Sequence, residues 1–163
     1  MPTSKKQYMG FKIIFGTPMN RGDYNKFKGW TIPEDEDPTD DGFLVEYEDG
    51  YISWSPKDTF NQAYIDVTSY DLSFGNAIYL MKKGYKVSRK GWNGKGMWIS
   101  LSKGSIIDSS KFWNPHNARF AKEHGGSAEV LDVITMKTAD DTILMGWLAS
   151  QTDMLSDDWG VVE

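Results

Sequence analysis

Residues 73–101, SFGNAIYLMKKGYKVSRKGWNGKGMWISL, decide the fold: a helical spacing of apolar side chains gives way to strand-like runs punctuated by glycine. Ser73 is a good N-cap; Phe74, Ala77, Ile78 and Met81 fall on one helical face, and Gly84 supplies the stop. These signals predict one main helix over about 73–83. After it, residues 85–90 and 97–101 read as strands joined across Asn93-Gly94, the pair favoured in a type I′ hairpin turn. Further on, residues 132–137 and 142–148 suggest a second hairpin around Ala139-Asp140-Asp141. A short helix is expected at about 150–155, with Ser150 as its cap and Asp153 reaching back, and a last strand at 159–162. Residues 105–127 carry no periodic signal strong enough to assign an element.

Upstream, residues 11–15 read as a strand and residues 17–30 as a turn-rich or short helical stretch. Residues 43–47 and 51–54 form a hairpin across Glu48-Asp49-Gly50, and Pro56 opens a short helix over 57–64 with Ser55 as N-cap. The fold class expected is therefore α+β: a mostly antiparallel β-sheet with one main helix and short helices, preceded by a small mostly-β module. Charge separates the two parts. Up to Tyr70 there are seven basic and twelve acidic residues, whereas Asp71 to Glu163 carries eleven of each, so the net charge of −5 resides in the first part. The boundary is placed between residues 69 and 70, in a stretch with turn and cap residues but no Pro or Gly tract.

Composition bounds the function. A chain of 163 residues, 39% apolar and 14% aromatic, supplies a packed core with rings to spare for a binding surface. The absence of Cys excludes disulfides, thiolate metal sites and Cys nucleophiles, and fits a reducing compartment. The apolar run at 11–15 is interrupted by Lys12 and too short for a signal-peptide core or a membrane span, so a cytoplasmic protein is expected. His116 and His124 lack metal-ligand spacing. Residues 34–41 hold six carboxylates in eight positions; such a run reads as a solvated loop that would repel a nucleic acid polymer, and it lacks the glycine and terminal glutamate of a calcium loop. No metal and no cofactor is implied.

Between Lys82 and Lys95 there are six basic residues (Lys82, Lys83, Lys86, Arg89, Lys90, Lys95) and no acid. Embedded among them is Gly91-Trp92-Asn93-Gly94-Lys95-Gly96-Met97-Trp98, where glycines expose backbone amides and indoles offer flat faces for a base. Phosphate plus base is the ligand chemistry this mixture suits. The same residues also suit a β-turn covered by Trp, and both readings stand on spacing alone. The Walker phosphate loop and the GxGxxG fingerprint are absent. A second cluster, Trp147-Leu148-Ala149-Ser150-Gln151-Thr152-Asp153-Met154, is dense in short hydrogen-bonding side chains. Helix capping accounts for Ser150 and Asp153; Gln151 and Thr152 remain to read a base edge or a ribose hydroxyl. Neither cluster contains a nucleophile with a histidine base, and the neighbouring pairs Asp140-Asp141 and Asp157-Asp158 are poor acid/base candidates.

Residues 73–101 and the segment ITMKTADDTILMGWLASQTDMLSDDWGVVE at 134–163 resemble the Thoeris anti-defence protein 2 family of phages and prophages, with the RKGWNGKGMW and WLASQTDMLSDDW blocks in family order. The resemblance implies a sponge that holds the cyclic ADP-ribose-derived signal of Thoeris immunity without degrading it, or a cyclic dinucleotide. It implies a homotetramer with sites between subunits, working in the host cell cytoplasm without membrane or nucleic acid polymer as partner. Carried over residue by residue, Trp92 and Trp98 become stacking residues, Asn93 and Gly94 polar or backbone contacts, and Arg89 and Lys90 phosphate-side charges. From the second block, Thr138, Trp147, Ser150, Gln151 and Asp153 become pocket residues. Two other classes remain open: a phage structural or protein-interaction module, and an enzyme that cleaves cyclic nucleotides through Asp140, Asp153 or Asp157. Residues 1–69 resemble an uncharacterised module of phage proteins.

Overall fold

A computed structural model describes residues 6–92 and 96–163, among which there are five α-helices and ten strands, every pairing antiparallel. The α+β class expected from the sequence is the class observed. The chain divides into two compact units, Met1–Tyr64 and Ile65–Glu163. The division falls a few residues before the sequence boundary because the intervening segment is tied into the second unit. Asp66 closes a turn by accepting from the Thr68 amide and hydroxyl, both at 2.8 Å, and the Val161 amide donates to the Val67 carbonyl at 2.7 Å.

In the first unit, β1 (Ile14–Pro18), β2 (Gly42–Tyr47) and β3 (Ile52–Pro56) form a sheet in the order β1-β2-β3. The sequence predicts the first strand at 11–15 and a turn-rich stretch from residue 17 that includes Pro18. Pro18 instead ends an edge strand opposite Phe43, a position where its missing amide hydrogen costs no ladder bond. Helix α1 (Arg21–Lys28) is capped by Asn20 and stopped by Gly29 in the left-handed region. Helix α2 (Lys57–Ala63) follows β3 directly. Ser55 does not cap it: the N-cap position is Pro56 and there is no side-chain cap bond, since β3 runs through Pro56 and keeps Ser55 in the sheet. Phe60 of α2 stacks on Phe43 with ring centroids 4.0 Å apart.

The second unit is built on helix α3 (Phe74–Lys82) and a five-stranded sheet of order β10-β4-β5-β8-β9. Ser73 and Asn76 form a reciprocal capping box at the start of α3. Its end is a Schellman turn in which Gly84 at φ 97° donates to Met81 and Tyr85 to Leu80, a conformation that favours glycine. The buried stripe of α3 is Ala77, Leu80 and Met81, with Phe74 and Ile78 only half-buried. It is rotated toward the Schellman turn relative to the face read from the sequence, bringing in Leu80.

The sheet strands are β4 (Lys86–Arg89), β5 (Trp98–Ser102), β8 (Val133–Lys137), β9 (Ile143–Met145) and β10 (Trp159–Val162). Val87 pairs with Ile99, Ile99 with Met136 and Val161 with Val87, and these side chains form the core face beneath α3. The β8–β9 hairpin and the terminal strand stand where the sequence predicts them, except that β9 ends at Met145 instead of running on to residue 148. On the other face Tyr70, held at φ 59°, lays its ring over Gly160 and reaches Ser88 with its hydroxyl at 3.2 Å. A Cβ at Gly160 would lie 3.0 Å from that ring. Residues 105–127, unassigned from sequence, hold β6 (Ser105–Asp108), a 3-10 turn and α4 (Pro115–Glu123), followed by β7 (Ser127–Val130), which pairs with β6.

β4 ends at Arg89 and β5 begins at Trp98, close to the strands expected at 85–90 and 97–101. Beyond Arg89 the pairing with the C-terminal segment continues, the Lys90 amide donating to the Asp158 carbonyl at 2.9 Å. The turn at Asn93-Gly94 itself lies outside the described residues.

Candidate functional site

The residues with most chemistry converge where β4 meets β10. Helix α5 (Gln151–Met154) is a single turn that exists through its cap: Ser150 Oγ accepts from the Asp153 amide at 3.1 Å, and Ser150 donates its own amide (3.1 Å) and hydroxyl (2.7 Å) to Asp153 Oδ2. This capping box turns Asp153 Oδ1 toward the strand ends, where it accepts from Arg89 Nη1 at 2.8 Å and from the Trp92 indole at 3.3 Å. Asp158 closes the other side. Its Oδ1 accepts from Arg89 Nε at 2.7 Å, and its Oδ2 from Arg89 Nη2 at 3.3 Å and the Gly91 amide at 3.0 Å. The guanidinium thus lies between two carboxylates, bidentate on one.

An aromatic corner surrounds this trio. Trp159, fully buried and opposite Arg89 in the ladder, donates its indole N–H to the Asp153 carbonyl at 3.0 Å. Trp92 meets Trp159 edge to face at 5.2 Å and Trp147 at 5.9 Å; Phe74 of α3 completes the cluster 5.3 Å from Trp159. Trp92 and Trp147 are half-exposed, so the corner has a buried floor and two indoles at its rim. Electrostatics follow from the contacts. Hydrogen bonds from Arg89 hold the Asp158 carboxyl below the usual carboxylate range, against its partial burial. Burial pushes Asp153 up, but the bonds from Ser150, Arg89 and Trp92 outweigh it and the carboxyl is lowered. The two carboxylates raise the pKa of Arg89 in turn, Asp158 contributing most.

The corner gathers Arg89, Trp92, Trp147, Ser150 and Asp153 from the sequence-derived set. Lys90 is exposed at the start of the loop, and Gln151 is exposed in the first turn of α5. Trp98 is elsewhere. It alternates with the buried Ile99, so it projects from the sheet face opposite α3, where Lys86 Nζ sits 5.8 Å from its ring centroid. Lys86 and Arg89, three residues apart in one strand, point to opposite faces, so the basic patch read from sequence is divided between them. Thr138 is at the β8–β9 turn, its hydroxyl 2.8 Å from that of Thr142. Asn93 and Gly94 lie outside the described residues.

Asp158, Trp159, Phe74 and Gly91 belong to the corner and were not among the sequence-derived site residues. The signal for two of them, Asp158 and Trp159, is their place just after the Ser150–Asp153 cap, on the segment that returns beside β4. Among the described residues no group of three His, Asp or Glu side chains is placed to hold a metal ion.

The elements of this corner lie inside the part of the chain that known proteins match. Thoeris anti-defense 2 of Bacillus phage SP01 is 35% identical over 91 residues, which is 56% of this chain and 94% of that protein. The Thoeris anti-defense 2-like domain matches residues 72–162, a span that takes in α3, every strand of the five-stranded sheet and the Arg89 corner. The chain therefore belongs to the Tad2-like family, Thoeris anti-defense 2-like domain proteins.

Proposed function

We propose that this protein is a phage anti-defence sponge: it binds and sequesters, without cleaving it, a cyclic nucleotide immune signal, glycocyclic ADP-ribose or a cyclic dinucleotide. Family membership supports the anti-defence role. The observation that carries the finer reading is the pair of half-exposed indoles, Trp92 and Trp147, held edge to face over a buried floor at the mouth of a loop rich in glycine and lysine. A base stacked on one such ring contributes roughly 1–3 kcal/mol, so two rings and a few amide contacts suffice for tight capture.

Sequestration is favoured over hydrolysis by the state of the acids. Asp153 and Asp158 both accept several hydrogen bonds and are held below the usual carboxylate range, the reverse of what a general acid needs near neutral pH. Leu148 and Leu155, 89% and 81% exposed on either side of α5, support a homo-oligomer, a tetramer by family resemblance, in which a second copy covers the rim. The host cell cytoplasm, where such a signal is made, is the proposed place of action.

The test is to incubate the protein with glycocyclic ADP-ribose, separate the complex from free ligand, heat-denature it and analyse what is released. Intact ligand supports sequestration, and a cleaved product sinks it. If Trp92→Ala leaves affinity unchanged in calorimetry but dissolves the oligomer, the interaction-module reading replaces it.

A further inference from the structure

Family resemblance assigns Arg89 to the phosphates of a ligand and Asp153 to its pocket. The geometry points to another division of labour, which rests on the sequestration reading above. We propose that Arg89 and Asp153 are positioning residues that touch no phosphate: they hold the Trp92 indole so that this corner receives the planar base of a nucleotide, while phosphate charge is met by the exposed Lys90.

Three observations carry this. First, Asp153 has no acceptor place left. An ionised carboxylate offers about four lone-pair sites. Here they are taken by Arg89 Nη1 and the Trp92 indole on Oδ1, and by the amide and hydroxyl of Ser150 on Oδ2. Second, Arg89 directs Nε, Nη1 and Nη2 at carboxylates, and its side chain is only 13% exposed. One guanidinium between two carboxylates leaves the trio with a net negative charge, which repels a phosphate. Third, the trio's contacts end on the aromatic corner: Asp153 accepts from the Trp92 indole at the rim through its side chain and from the Trp159 indole in the floor through its carbonyl. The chain of contact runs from Arg89 through Asp153 to Trp92. A lysine at position 89 would retain the charge and lose the fork that bridges the two acids.

The test uses the full chain, with Arg89→Lys, Asp153→Asn, Lys90→Ala and Trp92→Phe variants. In the ligand-free protein, indole N–H resonances are recorded by 15N NMR, and that of Trp92 is identified by its loss in Trp92→Phe. It is expected to shift in Arg89→Lys and in Asp153→Asn, and to stay in Lys90→Ala. Affinity for glycocyclic ADP-ribose is then measured by calorimetry across a salt series. Arg89→Lys is expected to bind about tenfold more weakly, with the salt dependence of wild type. Lys90→Ala is expected to flatten that dependence. An unmoved Trp92 resonance in both positioning variants overturns the proposal, as does Arg89→Lys affinity within about twofold of wild type, the result for a plain phosphate charge. Should Arg89→Lys fail to fold, Asp153→Asn, which keeps a side-chain oxygen for the cap, supplies both readouts. Wild type that binds no cyclic nucleotide sinks the sequestration reading and with it the base assignment, while the resonance shifts still decide whether Arg89 and Asp153 position Trp92.

Discussion

Each unit contains an arginine forked onto a carboxylate beside a tryptophan, and the two are used differently. In the first unit Arg21 starts α1, pairs with Glu36 through two nitrogens and lies 4.9 Å from the centre of the Trp54 ring, while the buried Asn25 donates to the same carboxylate at 3.1 Å. The Trp54 indole donates elsewhere, to the Met19 carbonyl at 2.8 Å. Both partners keep about a quarter of their side chains exposed, and they are 15 residues apart. This clamp ties the acidic loop at 34–41 to the helix just before it through Glu36, while the loop's other residues stay exposed, as its composition suggests. In the second unit Arg89 and its acids are 64 and 69 residues apart, and Asp153 is as buried as Arg89. That clamp holds the segment leading into the edge strand β10 against β4 and bonds to an indole. A local clamp shapes a loop; a long-range clamp with the indole as its third partner builds a surface.

The largest expected effect is at Trp159. Trp159→Ala removes a fully buried ring that three other aromatics touch, and should cost about 3–5 kcal/mol in chemical denaturation. Trp54→Ala, half-buried, should cost clearly less; the reverse ranking would break the comparison. Next comes Asp153→Ala, which strips Arg89 of one acid, frees the Trp92 indole and removes the cap of α5, for about 1–3 kcal/mol. Glu36→Ala is expected to destabilise less, because water screens its more open ion pair.

Acid sharpens the contrast further. Glu36 is lowered chiefly by the Arg21 hydrogen bond, Asp158 by that of Arg89, and Asp153 by Ser150, Arg89 and Trp92 against burial. A carboxyl that is lowered in the folded state takes up protons more readily unfolded. Its stabilisation is therefore present above the ordinary carboxylate range and is lost as pH falls below it. Asp153→Asn should flatten the acid limb of a stability–pH curve for the second unit, and Glu36→Gln that for the first. The smallest effect is expected from Gly91→Ala. Its Cβ would lie 3.1 Å from Asp158 Oδ2 and 3.5 Å from Arg89 Nη2, so the acid must yield slightly, at a cost below about 1 kcal/mol.

Much of the second unit was legible because its signals are local. The Ser73 cap, the Gly84 stop, the turn at 139–141 and the Ser150–Asp153 box each involve residues within a few positions of one another, so the pattern contains the interaction. The region at 105–127 was not legible, because β6 is a strand only through pairing with β7, across α4. The site was half legible. Trp92, Trp147, Ser150 and Asp153 were singled out and do meet, whereas Trp98 was grouped with them and faces the other way. Strand alternation at Ile99, settled only by which face α3 covers, makes that difference.

The sequence by itself determined the family, the α+β class, the caps of α3 and α5, and most hairpin positions. Tertiary structure alone decided that β10 lies beside β4, and this places Asp158 and Asp153 on Arg89. The reason is physical: an arginine followed by glycine and tryptophan reads as a free cation until the acids that neutralise it, more than sixty residues away, are brought into hydrogen-bonding reach by the strand between them.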